Sequence, residues 1–350
     1  MKNLMITGGC GFIGSNLIRY ILEDTDYKGN LINVDKLTYA GNPENLEDIR
    51  IKYPDRYKFE KVDIGSLNNL SRVFDKYEFD AICHLAAESH VDRSIVAPDD
   101  FIKTNIIGTY NLLECSRKKM DNIKLFHHVS TDEVFGSLGE DGFFTEATSY
   151  RPNSPYSASK ASSDHLVRAY NKTYGLPVTI SNCSNNYGPY QFPEKLIPLI
   201  ILNALEGKEL PVYGDGKHIR DWLYVTDHCS AIWEIMSKGK KGETYNIGGN
   251  NEMENIRVVK TICDIIDEIT DCLPNNEPRI NLIVFVKDRP GHDRRYAIDF
   301  SKIKSNLAWQ PIESFGTGIR RTINWYLKNL SWVNKVRTGE YQKWNEKHYG

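Results

Sequence analysis

The 350 residues are 40% hydrophobic and 26% charged with a formal net charge of −2, the balance of a soluble globular chain with room for one large or two moderate domains. So small a charge argues against nucleic acid or an anionic membrane as the main partner, although local basic clusters can still serve a small anion. The seven cysteines are scattered from Cys10 to Cys272 without a C-x-x-C pair, which points to reduced thiols in a cytoplasmic protein and to neither a disulfide framework nor a zinc site.

The first element is the strand "NLMIT" (3–7), preceded by too few apolar residues for a signal peptide or a membrane span. "TGGCGFIGSN" follows it and opens a helix, "GSNLIRYILED". Gly8, Gly11 and Gly14 allow a tight turn and close approach of a pyrophosphate to the helix N-terminus, and Gly9, Gly11 and Gly14 spell G-x-G-x-x-G. A glycine turn can also serve strand–helix packing alone. The second strand, "LINVD" (31–35), supplies the missing context, because it ends in Asp35, an acid suited to both ribose hydroxyls and hostile to a 2′-phosphate. The expected cofactor is therefore NAD rather than NADP. Asp63 closes a third strand, "YKFEKVD" (57–63), as an adenine contact or equally as a helix cap.

Further strands are "DAICHLA" (80–86), "IKLFHHVS" (123–130) and "LPVTISN" (176–182), with an amphipathic helix, "IIGTYNLLECSRKK", among them. Strand–helix alternation predicts an α/β fold, a Rossmann-type doubly wound parallel sheet. Thr131, Asp132 and Glu133 follow the fifth strand, and two adjacent acids there are unusual, since charged side chains are rarely buried unpaired. Successive strand residues face opposite sides, so both acids reach one pocket only if the strand ends near Ser130 and the chain turns. In "SPYSASKASSDHLVRAY", Ser154 reads as an N-cap with Pro155 at the first helical position, which puts Tyr156 and Lys160 on one helix face. A surface Tyr–Lys pair is the bland alternative. Downstream of a dinucleotide fingerprint the pair reads instead as a phenol whose proton affinity is lowered by the ammonium, the helix N-terminus and a positive nicotinamide.

After residue 183 the loops "SNNYGPYQFPEK" and "PVYGDGKHIRDW" alternate with helical runs near 195–206, 227–238, 255–270 and 314–329. The expected division is 1–183 for the cofactor domain, with roughly 220–250 returning to it, and 184–350 mainly for a smaller, discontinuous substrate domain.

The fingerprint with Tyr-x-x-x-Lys resembles the extended short-chain dehydrogenase/reductase superfamily. "LAAESHVDRSI", "STDEVFG", "SNNYGPYQFPEKLIP", "RDWLYVTDH", "RPGHDRRYAID" and the tail "GEYQKWNEKHYG" narrow the resemblance to its nucleotide-sugar 4,6-dehydratases over essentially the whole chain. The Thr-Asp-Glu triplet is the most discriminating of these, because epimerases and decarboxylases of the superfamily usually lack the acid pair. The resemblance implies bound NAD, a dTDP-glucose substrate and a homodimer, in which helices around 103–118 and 156–171 could form a four-helix contact. It also implies cofactor contacts at Phe12, Ile13, Lys36, Thr38, Ile64, Leu85, Ala86, Ala87 and Thr104, besides the glycines, Asp35, Asp63, Tyr156 and Lys160.

The acid pair suits such a reaction independently of its family. Oxidising C4 of a hexose makes the C5 proton acidic, a base then removes it, and an acid protonates the departing 6-hydroxyl. The resemblance gives Tyr156, helped by Lys160 and Thr131, the 4-hydroxyl proton, Glu133 the C5 proton, and Asp132, expected to stay protonated, the C6 oxygen. For the nucleotide sugar it implies Ser89, Thr131, Asn185, Lys195, Leu196, Pro211, Tyr213, Asn255, Arg289 and His292, with Arg220 on the diphosphate. "RPGHDRR" could instead be a solvated basic face. Ser89, His90 and Asp92 lie too close in sequence for a hydrolytic triad, and His127 and His128 point to opposite strand faces, so no metal is expected. Cys10 and Asn182 depart from the family pattern without touching the proposed catalytic set. A UDP-hexose 4-epimerase, a dehydratase for another nucleotide sugar, and a silent NAD-binding sensor are the competing readings.

Overall fold

The computed structural model describes residues 1–273 and 276–337, so the tail motif at 339–350 lies outside the described residues. Twelve strands are present among them. These are β1 (Asn3–Thr7), β2 (Asn30–Asp35), β3 (Tyr57–Lys61), β4 (Ala81–His84), β5 (Leu125–Thr131), β6 (Val178–Cys183), β7 (Asn185–Tyr187), β8 (Leu210–Tyr213), β9 (Ile219–Tyr224), β10 (Thr244–Ile247), β11 (Glu252–Glu254) and β12 (Ile283–Val286). Seven of them form one parallel sheet in the order β10-β6-β5-β4-β1-β2-β3. The order reverses between β1 and β4, and ligands of open α/β sheets bind outside the carboxyl ends of the strands at such a point.

Both faces of this sheet are covered, which explains strands that are apolar without strict alternation. Leu4 and Ile6 of β1 pack with Leu17, Ile18 and Ile21 of the Phe12–Glu23 helix and with Cys229 and Ile232 of the Val225–Lys238 helix. Met5, between them, packs on the other face with Leu70, Val73, Leu112 and Val167. The late helix Val225–Lys238 and β10 thus belong to the central sheet layer, although residues 184–224 lie between them and β6.

A second layer holds a three-stranded sheet, β11-β9-β7, and a two-stranded one, β12-β8. Its core joins Tyr187, Trp222, Ile200, Ile262 and Ile319, drawn from β7, β9 and the helices Leu196–Leu205, Asn255–Ile269 and Phe315–Lys328. No helix among the described residues is long and apolar enough to cross a membrane.

Candidate active site

The glycine turn after β1 is closed by backbone packing. Gly8 has φ +72°, and a Cβ on Gly14 would meet the Gly8 carbonyl oxygen at 2.2 Å and the Gly9 Cα at 2.7 Å. Only glycine fits where helix and strand approach so closely, and the same turn leaves the start of the Phe12–Glu23 helix open to an anion. Asp35 stands at the end of β2 beside this turn, where its carboxylate accepts hydrogen bonds from the backbone amides of Cys10 (3.0 Å) and Leu37 (2.8 Å). Each oxygen keeps a further lone pair, so the acid can also accept ribose hydroxyls.

The cleft beyond the sheet is lined by Gly8, Gly11, Phe12, Ile13, Gly14, Asp35, Lys36, Thr38, Ile64, Leu85, Ala86, Ala87 and Thr104, and it continues past Ser89, Thr131, Asp132, Glu133, Tyr156, Lys160, Asn185 and Lys195. Asp63 is placed differently. It is exposed, lies outside the lining, and accepts the Gly65 amide at 2.8 Å in a local turn, while Ser66 is the N-cap of the next helix. Thr104 sits in a π-helical stretch, Ile102–Gly108, that precedes the regular helix, and its hydroxyl accepts from Lys36 Nζ at 3.0 Å.

The end of β5 explains how two neighbouring acids share the cleft. The strand is buried through Thr131, and the chain turns at once into a 3₁₀ turn, Asp132–Phe135, capped by the Thr131 hydroxyl accepting the Glu133 amide (3.3 Å). Thr131 also donates to Asp132 Oδ1 at 3.3 Å. Tyr156 and Lys160 come from the Pro155–Tyr174 helix, which begins with Ser154 and Ser157 in a reciprocal capping box and ends at Gly175 with φ +74°.

The two acids sit in different fields. Burial pushes the Asp132 carboxyl well above its ordinary range, and the charges of Glu133 and Asp221 push the same way. Burial raises Glu133 too, with a smaller push from Asp293, but Arg289, Lys195 and Arg220 all oppose the rise. Both carboxyls are raised, but Asp132 much further, so of the two Asp132 is the one that holds a proton and Glu133 the one more readily ionised. Asp221, itself raised to about 6 by burial, accepts the amides of Gly249 and Asn251 at 2.8 Å each.

Tyr156 differs from expectation. Burial drives its phenol well above the ordinary value, the Glu133 charge adds to this, and only the Thr131 hydroxyl works against them. The Lys160 ammonium, whose Nζ donates to the Val129 carbonyl at 2.8 Å, does not offset this rise in the chain alone.

The remaining predicted residues come from the second layer. Arg220 is buried on β9 over the Tyr296 ring (4.2 Å) and donates to the Asp293 carbonyl at 2.8 Å. Arg289 pairs with Asp92 at 3.3 Å, and Tyr213 donates to the other oxygen of Asp92 at 3.4 Å. Lys195 donates to the Ser89 carbonyl at 3.0 Å, so three contacts tie the segment after β4, loop and Val91–Val96 helix together, to the second layer. Pro211 lies on β8 beside Val284 of β12, Leu196 starts a helix and packs on the second core, and the buried Oδ1 atoms of Asn185 and Asn255 accept no protein hydrogen bond.

His292 stacks on His218 with ring centroids 3.7 Å apart, and Asp288 bridges them, 2.6 Å from His292 Nδ1 and 3.2 Å from His218 Nε2. These three could approach one cation, although Arg220 and Arg289 add positive charge around His292. Sequence reasoning missed Glu194, which lines the cleft, accepts from Tyr39 at 2.8 Å and lies 3.4 Å from Arg93. Its only signal was a place in the aromatic, proline-rich "QFPEK" loop.

Residues 5–322 match the family described as GDP-mannose 4,6 dehydratase. The chain belongs to this family. Within the GDP-mannose 4,6-dehydratase family it is 56% identical to the dTDP-glucose 4,6-dehydratase of Salmonella typhimurium over 363 residues, covering 99% of this chain and 98% of that one. The solved dTDP-glucose 4,6-dehydratase of Bacillus anthracis, in complex with NAD, is similar at 48% identity and TM-score 0.85, over 96% of this chain and 100% of that one. That of Streptomyces venezuelae, with NAD and TYD bound, is similar at 43% identity and TM-score 0.88, over 95% and 99%.

Proposed function

We infer that this protein is an NAD-dependent dTDP-glucose 4,6-dehydratase, a hydro-lyase that gives dTDP-4-dehydro-6-deoxy-glucose. The observation that carries the reading is the acid pair after β5, held in one cleft with Tyr156 and Lys160, with Asp132 raised much further than Glu133. High identity to dTDP-glucose 4,6-dehydratases over nearly the full chain supports the same substrate here. An epimerase has no use for a second acid and base, and a silent sensor has no use for any of the four groups.

Bound NAD supplies the acceptor and later the donor of the hydride. The glycine turn and Asp35 are suited to its pyrophosphate and ribose. Tyr156 takes the proton of the 4-hydroxyl, and Thr131 orients that exchange. Glu133 removes the C5 proton, which the C4 ketone has made acidic, while Asp132 delivers a proton to the C6 oxygen so that it leaves as water. The charges on Arg220, Arg289 and Lys195 suit a diphosphate and also stabilise the Glu133 carboxylate. We read residues 1–183 with the Val225–Lys238 helix and β10 as the cofactor part, and the second layer as the nucleotide-sugar part.

A homodimer is also proposed. Ile95 and Val96 at the end of the Val91–Val96 helix and Ile102, Ile107 and Tyr110 on the helical run from Pro98 to Lys118 are 40–60% exposed, an apolar surface that a second copy would cover. Six buried cysteines and an exposed Cys272, none of them paired, support a reducing, cytoplasmic setting.

The deciding experiment is incubation with dTDP-glucose in deuterated water. The product should have lost one water and carry deuterium at C5. Recovery of unchanged sugar, or of the galactose epimer, would overturn the assignment.

A further inference from the structure

Tyr156, Lys160, Asp164 and Arg168 recur every four residues along the Pro155–Tyr174 helix and so share a face. Asp164 is fully buried, an unusual place for a carboxylate, and nothing in the chemistry above uses it. Its partners explain its position. Oδ2 accepts from Ser130 Oγ (2.8 Å) and from the Tyr150 hydroxyl (2.8 Å), and Oδ1 lies 3.1 Å from His128 Nε2. Ser130 and His128, two residues apart near the end of β5, share the strand face that meets Asp164. Between them, the Val129 carbonyl accepts from Lys160. Asn182 of β6 adds a tie, donating to the Thr131 carbonyl at 3.1 Å and reaching Asp164 Oδ2 at 3.5 Å. Val129 and Ser130 are therefore bonded to the helix, Thr131 is tied to it through Asn182, and His128 lies against Asp164.

We propose that Asp164 is a positioning residue of the reaction, which fixes the acid-bearing end of β5 against the Tyr156–Lys160 helix and supplies the negative charge that holds the Lys160 ammonium in its buried place. This rests on the roles given above to Tyr156, Lys160 and residues 131–133. The titratable groups acting on Lys160 are Asp164 on its own helix, His128 on β5, His84 on β4 and Cys183 on β6, and Tyr156 lies one helical turn before it. Burial lowers the proton affinity of Lys160, and of these neighbours Asp164 opposes that most. His84 and His128 are both pushed down by burial, His128 to about 4, and so stay neutral near pH 7. Asp164 itself stays ionised, because His128, Lys160 and Tyr150 together outweigh its burial.

The roles separate in a pH profile. Without the carboxylate charge, Lys160 loses its proton at lower pH, so the alkaline limb of C4 oxidation moves down. The test is Asp164→Asn in the full-length, NAD-loaded enzyme, followed in single turnovers with dTDP-glucose from about pH 6 to about pH 10. Oxidation is read from reduced-nicotinamide absorbance, elimination from deuterium at C5, and folding from the melting temperature. The expected result is at least about a tenfold slower oxidation with KM near wild type, and an alkaline limb displaced by about one pH unit or more. An alkaline limb superimposed on that of wild type would overturn the proposal, whatever the change in melting temperature.

Ser130→Ala removes one tie from the strand and leaves the charge. It should slow both steps about threefold or more without moving the limb, on the scale of one lost hydrogen bond. Wild-type rates in this variant would overturn the strand-holding half, and they decide the matter if Asp164→Asn does not fold. Tyr156→Phe distinguishes the levels of failure. If it oxidises substrate normally, the catalytic reading itself fails, whereas loss of oxidation there beside an unaltered Asp164→Asn removes only the role of Asp164.

Discussion

The Asp132 carboxyl sits where burial, Glu133 and Asp221 disfavour charge and Arg220 opposes them, while Glu133, also raised by burial, is faced by Arg289, Lys195 and Arg220 together. Two side chains of nearly equal intrinsic acidity are thereby divided into an acid and a base. Glu133→Gln keeps the shape and loses the base. Its expected phenotype is C4 oxidation near the wild-type rate, accumulation of the reduced cofactor, and product formation slowed by about 10²-fold or more. Quenched-flow sampling with absorbance detection measures both, and unimpaired product formation would remove Glu133 from the role of base. Tyr156 is a different matter, since burial and Glu133 raise its phenol in the chain alone. Its spacing from Lys160 was readable in the sequence. The direction in which Lys160 points was not, because helix spacing says which side chains are neighbours and not which carbonyl one of them will bond.

Strand β5 is buried along its whole length yet carries two adjacent histidines. His127 bonds Thr179 Oγ1 (2.9 Å) and Ser181 Oγ (3.2 Å) on β6, whereas His128 faces Asp164. Opposite faces were expected from the strand period, and the structure gives each ring its own partners. Burial lowers His127 to about 3, so it folds neutral. Between pH about 6.5 and about 3 the unfolded chain binds a proton there that the folded chain refuses, so stability from this site is present above that window and is lost as pH falls through it. The loss amounts to roughly 1.4 kcal/mol per pH unit. His127→Gln removes the effect, and the difference in unfolding free energy between wild type and variant should shrink as pH drops from about 7 to about 5. Urea titrations at several pH values would show it, and a constant difference would mean that His127 is not buried as described. The turn after this strand was legible too. Thr131, Asp132 and Glu133 could serve one pocket only if the strand stopped, and it stops at Thr131.

Across the molecule, the cleft is assembled from segments far apart in the chain. The segment after β4 touches the second layer through Asp92, on the Val91–Val96 helix, with Arg289 and Tyr213, and through the Ser89 carbonyl with Lys195. The Val225–Lys238 helix and β10 return to the first sheet after the second layer has begun, so neither part is a simple half of the sequence. The apolar stretch from Ile95 to Tyr110 leads to a prediction about assembly. Sedimentation equilibrium should find a dimer, and Ile102→Glu with Ile107→Glu should shift it toward monomer, because two charges in an apolar contact carry a desolvation cost of several kcal/mol. A dimer that resists both changes would place the contact elsewhere.

Local chemistry was enough to read the glycine turn, Asp35, the Tyr156–Lys160 pair and the acids after β5, since each depends on spacing within one strand, turn or helix. Alternation of apolar segments was likewise enough for the parallel sheet. What the sequence could not disclose is which distant charges face which acid. Arg289 and Lys195 face Glu133, Asp221 stands near Asp132 and Arg220 acts on both, an arrangement that arises only when β9 and the loops after β7 and β12 fold over the end of β5. Asp35 and Asp63 show the same limit from the other side. Both are acids at or just past the end of a strand, yet one is buried in the cleft and the other is exposed beside it. Proton affinity follows burial and the field of neighbouring charges, and both are properties of the packed molecule rather than of any stretch of chain.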